Sequence, residues 1–217
     1  MSKPGKQTTS SEAINAPEAF LEISSFHEAP LPEGQTELFL AVCKFCEEVE
    51  RECAGKPSVP RWLTLSGRPG CGKTHLAKEV LKWALRYHEA RPLVEPPMFM
   101  PSRARRDVLF GGCRETYDIF NGSKAHAIDR HIDDLSSVWL LILDDFGFER
   151  LSSDQQSHYW YRLLDARMGK WTLMTTNLAA RQIAKFDERI RSRMWRDRNV
   201  LLESGAIDWY MPKDDSL

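Results

Sequence analysis

The sequence lacks the long apolar runs of a membrane protein. The run at residues 138–143 (VWLLIL) is as long as any in the chain, whereas a transmembrane helix needs about 20 apolar residues. The first residues (MSKPGKQTTSSE) also lack the apolar core of a signal peptide. We therefore expect neither a membrane protein nor a secreted one.

Cysteine is scarce, and so is any excess of charge of one sign. Five cysteines are an odd number at modest density, which argues against a disulfide framework and favours reduced thiols in a cytoplasmic protein. The 30 Lys and Arg nearly balance the 31 Asp and Glu, so overall charge neither requires nor excludes a polyanionic partner. A chain of 217 residues with 42% hydrophobic content is expected to form one main domain around one core.

The N-terminal part differs in composition from the rest. Residues 1–16 contain almost no apolar side chains, and they predict a disordered tail because they cannot offset the entropy of ordering. Residues 17–54 form a separate segment. Within it, apolar side chains recur at intervals of three and four from residue 36 to 54, which is typical of an amphipathic helix. Residues 55–217 are expected to form the main domain.

Beyond residue 60, short β-rich runs alternate with helical patterns. Strands are predicted at residues 62–66, 97–100, 139–144, 171–175 and 199–202, and helices at residues 71–88, 123–135, 153–168 and 187–196. The third strand is apolar without alternation, as expected when helices cover both faces of a sheet. This order predicts an α/β domain with a five-stranded, mainly parallel sheet and right-handed crossovers.

The segment GRPGCGKT lies between the first predicted strand and a helix, and it fits the phosphate-binding pattern G-x-x-x-x-G-K-[ST]. Its glycines allow backbone N–H groups to turn toward phosphate oxygens, and the helix N-terminus adds its dipole. Lys73 is expected to neutralise the β and γ phosphates, and Thr74 to ligate Mg²⁺. The predicted nucleotide contacts are Gly67, Arg68, Pro69, Gly70, Cys71, Gly72, Lys73, Thr74 and His75.

Polar side chains follow two of the later apolar strands. Asp144 and Asp145 end the third strand, and Asn177 follows the fourth. The carboxyl ends of parallel strands meet where ligands bind, so Asp144 is expected to hold Mg²⁺ and Asp145 to orient or deprotonate the attacking water. Asn177 would bond the γ-phosphate or that water. Taken singly, each of these positions also fits a solvated turn.

Three arginines share one face of the last predicted helix. Arg189, Arg193 and Arg196 are spaced by four and three residues, an arrangement that does not serve a core. It fits either a site on the outer edge of the domain or a solvated charged face.

Together these segments resemble the AAA+ ATPases, and within them the bacterial helicase loaders of the DnaC and DnaI type and the transposition helper IstB. The resemblance extends from about residue 62 to 209 through GRPGCGKTHLA, LLILDDFGFE, LMTTNL and DERIRSRMW. It implies a P-loop three-layer sandwich that uses ATP and Mg²⁺. The roles it implies are Walker A for Lys73 and Thr74, Walker B for Asp144 and Asp145, sensor 1 for Asn177, the arginine finger for Arg193, and a second interface arginine at Arg189.

Two departures from the wider AAA+ pattern are visible. Asp145 stands where many AAA+ proteins carry Glu, and the shorter acid predicts slow hydrolysis, although loader-type relatives also tend to carry two Asp. The chain ends soon after the last predicted strand, so we expect no helical lid domain with its sensor 2 arginine; the loaders and IstB lack it too.

The resemblance implies a nucleotide-controlled switch that assembles with copies of itself on ATP and helps place a ring-shaped replicative helicase on DNA. The segment at residues 17–54 would carry the contact with the helicase. A transposition helper acting with a transposase stays open within the same family. A P-loop small-molecule kinase and a nucleotide-binding module without hydrolysis are the alternatives from other classes.

Two smaller groups of residues remain. Cys43 and Cys46 form a CxxC on the apolar face of the first helix, without a second CxxC; buried thiols and a zinc or redox site both fit. Cys71 lies within the phosphate loop, where an exposed thiol could make nucleotide binding sensitive to oxidation, while an inert thiol is the favoured interpretation. In the resemblance, the run Arg103, Arg105 and Arg106 precedes a region that approaches single-stranded DNA, while a solvated face is the alternative.

Overall fold

The computed structural model describes residues 35–59, 61–90, 98–99, 113–147, 154–179, 181–183, 187–196 and 199–205. The helices are α1 (Gln35–Cys53), α2 (Lys73–Ala90), α3 (Cys113–Gly122), α4 (Ala125–Ser137), α5 (Asp154–Ala166) and α6 (Glu188–Met194). The strands are β1 (Trp62–Ser66), β2 (Met98–Phe99), β3 (Leu140–Phe146), β4 (Trp171–Thr176) and β5 (Val200–Glu203). The predicted tail and the arginines at 103, 105 and 106 lie outside these residues, and the absence of a lid stays a prediction.

Within the described residues, five strands form one sheet in the order β2-β3-β4-β1-β5. Every pairing in it is parallel, which confirms the predicted sheet. The structure differs from the prediction between β2 and β3, where it has both α3 and α4 instead of one helix. At the other end, α6 ends at Met194, so Arg196 lies beyond the helix on which its spacing had placed it.

Helices cover both faces of the sheet because alternate side chains of each strand enter different cores. One core joins α1 and α2 to Leu63, Leu65, Leu140, Ile142 and Leu173. The other joins α3 to α6 with Leu141, Leu143 and Met174. The apolar run of β3 therefore serves two cores at once, as its lack of alternation predicted.

Arg167 forms hydrogen bonds at the amino ends of β3 and β4, on the side of the sheet opposite the pocket-forming carboxyl ends. Its side chain is fully buried, and burial lowers its pKa to about 9. The guanidinium donates to Thr172 Oγ1 and to backbone carbonyl oxygens at the end of α4, before β3 and at the start of β4. Those carbonyls belong to Ser136, Val138, Trp139 and Trp171.

Cys43 and Cys46 lie in the core between α1 and the sheet. Both thiols are buried, and burial raises the pKa of Cys43 to about 12 and that of Cys46 well above its usual value. No cluster of three potential metal ligands occurs among the described residues. In that part of the chain, moreover, none of the helices is long and apolar enough to cross a bilayer.

Candidate nucleotide-binding site

The carboxyl ends of β3 and β4 and the N-terminus of α2 enclose a pocket of about 400 Å³. The pocket is lined by Pro69, Gly70, Gly72, Lys73, Thr74, His75, Lys78, Asp144, Asp145, Thr175 and Asn177. It thus brings together most of the residues that the sequence assigned to nucleotide, metal and water. Of the predicted contacts, Gly67, Arg68 and Cys71 do not line it.

The loop between β1 and α2 turns tightly around the Lys73 ammonium. Gly70 and Gly72 have φ of 80° and 90°, a conformation that strongly favours glycine. Lys73 is 6% exposed, and its Nζ donates to the carbonyl oxygens of Gly67 at 2.9 Å and Arg68 at 2.8 Å. The loop carbonyls therefore hold the Lys73 ammonium close to the N-terminus of α2. The dipole of that helix also favours anions at this position.

Cys71 is buried, which agrees with the inert thiol favoured from the sequence and excludes the exposed, oxidation-sensitive alternative. Its side chain is 1% exposed and packs in the core between α2 and the sheet. The Sγ atom accepts from Lys73 Nζ at 3.5 Å, and it lies 3.0 Å from the position that a Cβ on Gly67 would take. The thiol fills the inside of the loop and does not face the pocket, which leaves it poorly accessible to oxidants.

Asp144 is held by two hydroxyl groups that come from two different elements. Its Oδ1 accepts from Thr74 Oγ1 of α2 at 3.0 Å and from Thr175 Oγ1 of β4 at 2.6 Å. A carboxylate and a hydroxyl are hard oxygen ligands of the kind that Mg²⁺ takes in phosphate sites. The pairing of Thr74 with Asp144 thus places the two predicted metal ligands in direct contact, and this donor set fits the ion.

Asp145 has an unusual backbone conformation. Its φ is 61°, a left-handed value uncommon outside glycine, and the register between β3 and β4 shifts between Leu143 and Phe146. The backbone N–H of Asp145 donates to Thr175 Oγ1 at 2.8 Å, and its Oδ1 accepts from Asn177 Nδ2 at 2.7 Å. The irregularity turns Asp145 as well as Asp144 into the pocket.

The surroundings of Asp145 make it a stronger base than an ordinary aspartate. Burial raises the pKa of Asp145 and the charge of Asp144 raises it further, while Lys73 opposes both effects. A carboxylate with a raised pKa takes up a proton more readily, which suits a group that activates water.

Two residues of the pocket were not singled out from the sequence. Thr175 lies in an apolar β4 and carries the signal of an ordinary β-branched strand residue. Lys78 lies four residues after Thr74 on α2, and that spacing places it on the same face of the helix. The spacing could have identified Lys78, whereas the hydrogen bonds of Thr175 become visible only when β3 and β4 pair.

Arg193 does not line the pocket of its own chain. Its Nε donates to Asp165 Oδ1 at 2.6 Å and its Nη2 to the Tyr161 hydroxyl at 2.8 Å. Arg189 pairs with Asp187, which caps α6. Both guanidinium groups stack on the Tyr161 ring, at 5.2 Å for Arg189 and 5.1 Å for Arg193.

The chain resembles solved structures of two helicase loaders along most of its length. It superposes on the DnaC helicase loader with a TM-score of 0.56 and 22% identity, covering 87% of this chain and 99% of that one. For DnaI the TM-score is 0.57 and the identity 21%, covering 87% and 94%. This chain has the AAA+ fold. The resemblance predicted from the four segments is therefore confirmed at the level of the fold.

A third AAA+ structure shows the same fold with ligands bound. The replication initiator DnaA bound to AMPPCP and single-stranded DNA matches with a TM-score of 0.51 and 17% identity, over 73% of this chain and 44% of that one. No protein-family model and no curated protein matches the sequence. The comparisons therefore show the fold of this chain through its three-dimensional structure alone.

Proposed function

We propose that the chain binds and hydrolyses ATP with Mg²⁺ and acts as a nucleotide-controlled switch in DNA replication, helping to place a ring-shaped helicase on DNA. The observation that carries the proposal is the meeting of Lys73, Thr74, Asp144, Asp145 and Asn177 in one pocket at the carboxyl ends of β3 and β4. Parallel α/β sheets bind ligands at this edge.

The arrangement of the pocket fits the binding of a nucleoside triphosphate. Lys73 and the N-terminus of α2 supply positive charge for the phosphates, and Thr74 with Asp144 supplies oxygen ligands for the metal. When bound, Mg²⁺ would neutralise the charge that develops on the phosphate oxygens. The AMPPCP in the DnaA structure is an ATP analogue, which supports ATP as the nucleotide here.

Hydrolysis requires a base and a group that orients it. The raised pKa of Asp145 suits the removal of a proton from an attacking water, and the Asn177 amide holds one carboxylate oxygen at 2.7 Å. The other oxygen is then available to the water. Asp145 acts as the base in this proposal, and Asn177 fixes its direction.

Arg193 would complete the site of a neighbouring copy. Its place outside its own pocket supports a head-to-tail assembly in which one subunit offers the arginine and the next the nucleotide. Such heterologous contacts close into rings or continue as spirals. Arg189 shares the Tyr161 ring with Arg193 and would contribute to the same interface.

The proposed partner is a replicative helicase, contacted through the segment at residues 17–54, with single-stranded DNA reached through Arg103, Arg105 and Arg106. The likeness to two helicase loaders over 87% of the chain supports a helicase as the partner. Capture of partners from the source cell in ATP and in ADP tests the proposal. We expect the wild-type protein to retain the helicase in ATP and the Lys73→Ala variant to lose it, because the variant lacks the fixed phosphate cation.

Other results would favour one of the alternatives or refute the proposal. Recovery of a transposase in place of the helicase would favour the transposition helper. Phosphorylation of a metabolite without assembly on ATP would favour a small-molecule kinase. Unchanged nucleotide affinity in Lys73→Ala would refute the assignment of the phosphate loop, and Lys44→Ala, an exposed change on α1, is the control.

A further inference from the structure

One buried hydroxyl connects both carboxylates of the pocket. Thr175 is 1% exposed and lies on β4, between β3 and β1. Its Oγ1 donates to Asp144 Oδ1 at 2.6 Å and accepts from the Asp145 backbone N–H at 2.8 Å. The donor and one acceptor position of the hydroxyl are thus both used at the end of β3.

The hydrogen bond from Thr175 to Asp144 helps to fix the orientation of that carboxylate in the pocket. Thr175 and Thr74 occupy the same oxygen, Oδ1, and no described residue bonds to Oδ2. Two hydrogen bonds from different elements, of which the one from Thr175 is short at 2.6 Å, restrict rotation of the carboxylate and leave Oδ2 for a metal or its water shell. A hydroxyl bound to a charged acceptor makes a stronger bond than one between neutral groups.

The bond to Asp145 stabilises an unfavourable backbone. The φ of 61° and the register shift between Leu143 and Phe146 interrupt the regular ladder between β3 and β4. Thr175 Oγ1 satisfies the Asp145 N–H at that interruption. Residues in such conformations persist only where their surroundings fix them, and here a side chain of the neighbouring strand does so.

We propose that Thr175 is a positioning residue that sets both carboxylates: it orients Asp144 toward Mg²⁺ and holds Asp145 where it activates water. The inference depends on the proposed ATP hydrolysis and adds a residue to that site. The role requires the hydroxyl and not merely the volume of a β-branched side chain.

The chain offers a matched control on the neighbouring strand. Thr64 is fully buried in β1, and its Oγ1 has no hydrogen-bond partner among the described residues. Thr64→Val and Thr175→Val make the same chemical change at equal burial. Only the second removes a hydroxyl that bonds to Asp144 and Asp145. Thr175→Ser keeps the hydroxyl and loses a methyl group.

The experiment measures binding of a fluorescent ATP analogue to the full chain, with and without Mg²⁺, alongside steady-state hydrolysis. For Thr175→Val we expect metal-free nucleotide affinity within twofold of wild type. The Mg²⁺ concentration that gives half of the maximal increase in nucleotide affinity should be at least fivefold higher than for wild type. We also expect kcat to fall at least tenfold with KM within threefold. Thr175→Ser should restore the half-maximal Mg²⁺ concentration and kcat to within threefold of wild type, and Thr64→Val should match wild type in both. Thr175→Ala replaces the valine variant if that variant does not fold.

Other results would contradict the role of Thr175 or the proposed function. A Thr175→Val protein with wild-type Mg²⁺ dependence and kcat overturns this inference alone. Loss of metal-free binding, or failure of Thr175→Ser to restore Mg²⁺ dependence, shows a structural role and overturns it as well. A wild-type protein without Mg²⁺-dependent ATP binding overturns the proposed function and, with it, this inference.

Discussion

The side-chain amide of Asn177 lies 2.7 Å from Asp145 Oδ1, so the residue after β4 orients a carboxylate at the end of β3. Both side chains line the pocket with Lys73. In the sequence, Asp145 and Asn177 could each have been a residue of a solvated turn, but in the structure they are in direct contact.

Replacement of Asp145 by Asn should separate binding from hydrolysis. Asp145→Asn leaves Asp144 and Thr74 for the metal, so ATP affinity is expected to stay within threefold of wild type. Hydrolysis should fall by about 10² to 10⁴, the usual contribution of a general base, because an amide cannot accept the proton. Phosphate release and nucleotide titration check the two quantities; hydrolysis at the wild-type rate would show that Asp145 is not the base.

Removal of Arg193 should affect assembly and not the isolated subunit. Arg193→Ala is expected to bind ATP as wild type, to lose ATP-dependent assembly, and to lose stimulated hydrolysis by about 10³ or more, as for arginines supplied in trans. Arg191→Ala, an exposed change on the same helix, is the control. Light scattering and phosphate release across protein concentrations measure both effects.

A mixture of variants tests whether the site is shared. Lys73→Ala retains Arg193 and can lend it to a neighbour, so adding it to Arg193→Ala should restore part of the activity. If the two proteins assemble together and no activity returns, the shared site is refuted and the bonds to Asp165 and Tyr161 are purely structural.

His131 should make the fold sensitive to mild acid. Burial lowers the pKa of His131, with Asp134 opposing, and its Nε2 lies 3.2 Å from Thr116 Oγ1. The unfolded chain, with a pKa of about 6.5, binds the proton more readily, so stability falls as pH drops through that value. We expect His131→Gln to lose less stability than wild type between pH 7.5 and 5.5. Urea midpoints measure this, and equal losses in both proteins would refute the role of His131.

Loss of Arg167 should destabilise the domain without altering the pocket chemistry directly. Arg167→Met leaves carbonyls of Ser136, Val138 and Trp171 without their donor, and we expect a loss of about 3 kcal/mol in the free energy of unfolding. Arg162→Met removes an exposed pair with Asp129 and should cost under about 1 kcal/mol. Equal losses of stability in the two variants would contradict the stabilising role assigned to the hydrogen bonds of Arg167.

The sequence predicted the chemical groups of the pocket better than the contacts that position them. Lys73, Asp144 and Asn177 could be placed together because parallel strands bring their carboxyl ends to one edge. Thr175 could not be recognised, since a threonine in an apolar strand looks like any β-branched residue. The burial of Cys71 could not be decided from the sequence, because it depends on how the phosphate loop packs into the core formed by α1, α2 and the sheet.

The order of the strands has a consequence for how the chain is made. Among the residues that the structure describes, β1, which leads into the phosphate loop, has β4 on one side and β5 on the other, as in the pairs Trp62 with Thr172 and Leu63 with Val200. At about 5 to 20 residues per second, a ribosome that has completed β1 needs roughly 5 to 20 s to reach its first partner strand. Unpaired strand edges are templates for aggregation. Nascent or truncated chains that stop before residue 171 therefore expose both edges of β1, a strand that is buried along its whole length in the complete fold, and are the forms most in need of a chaperone.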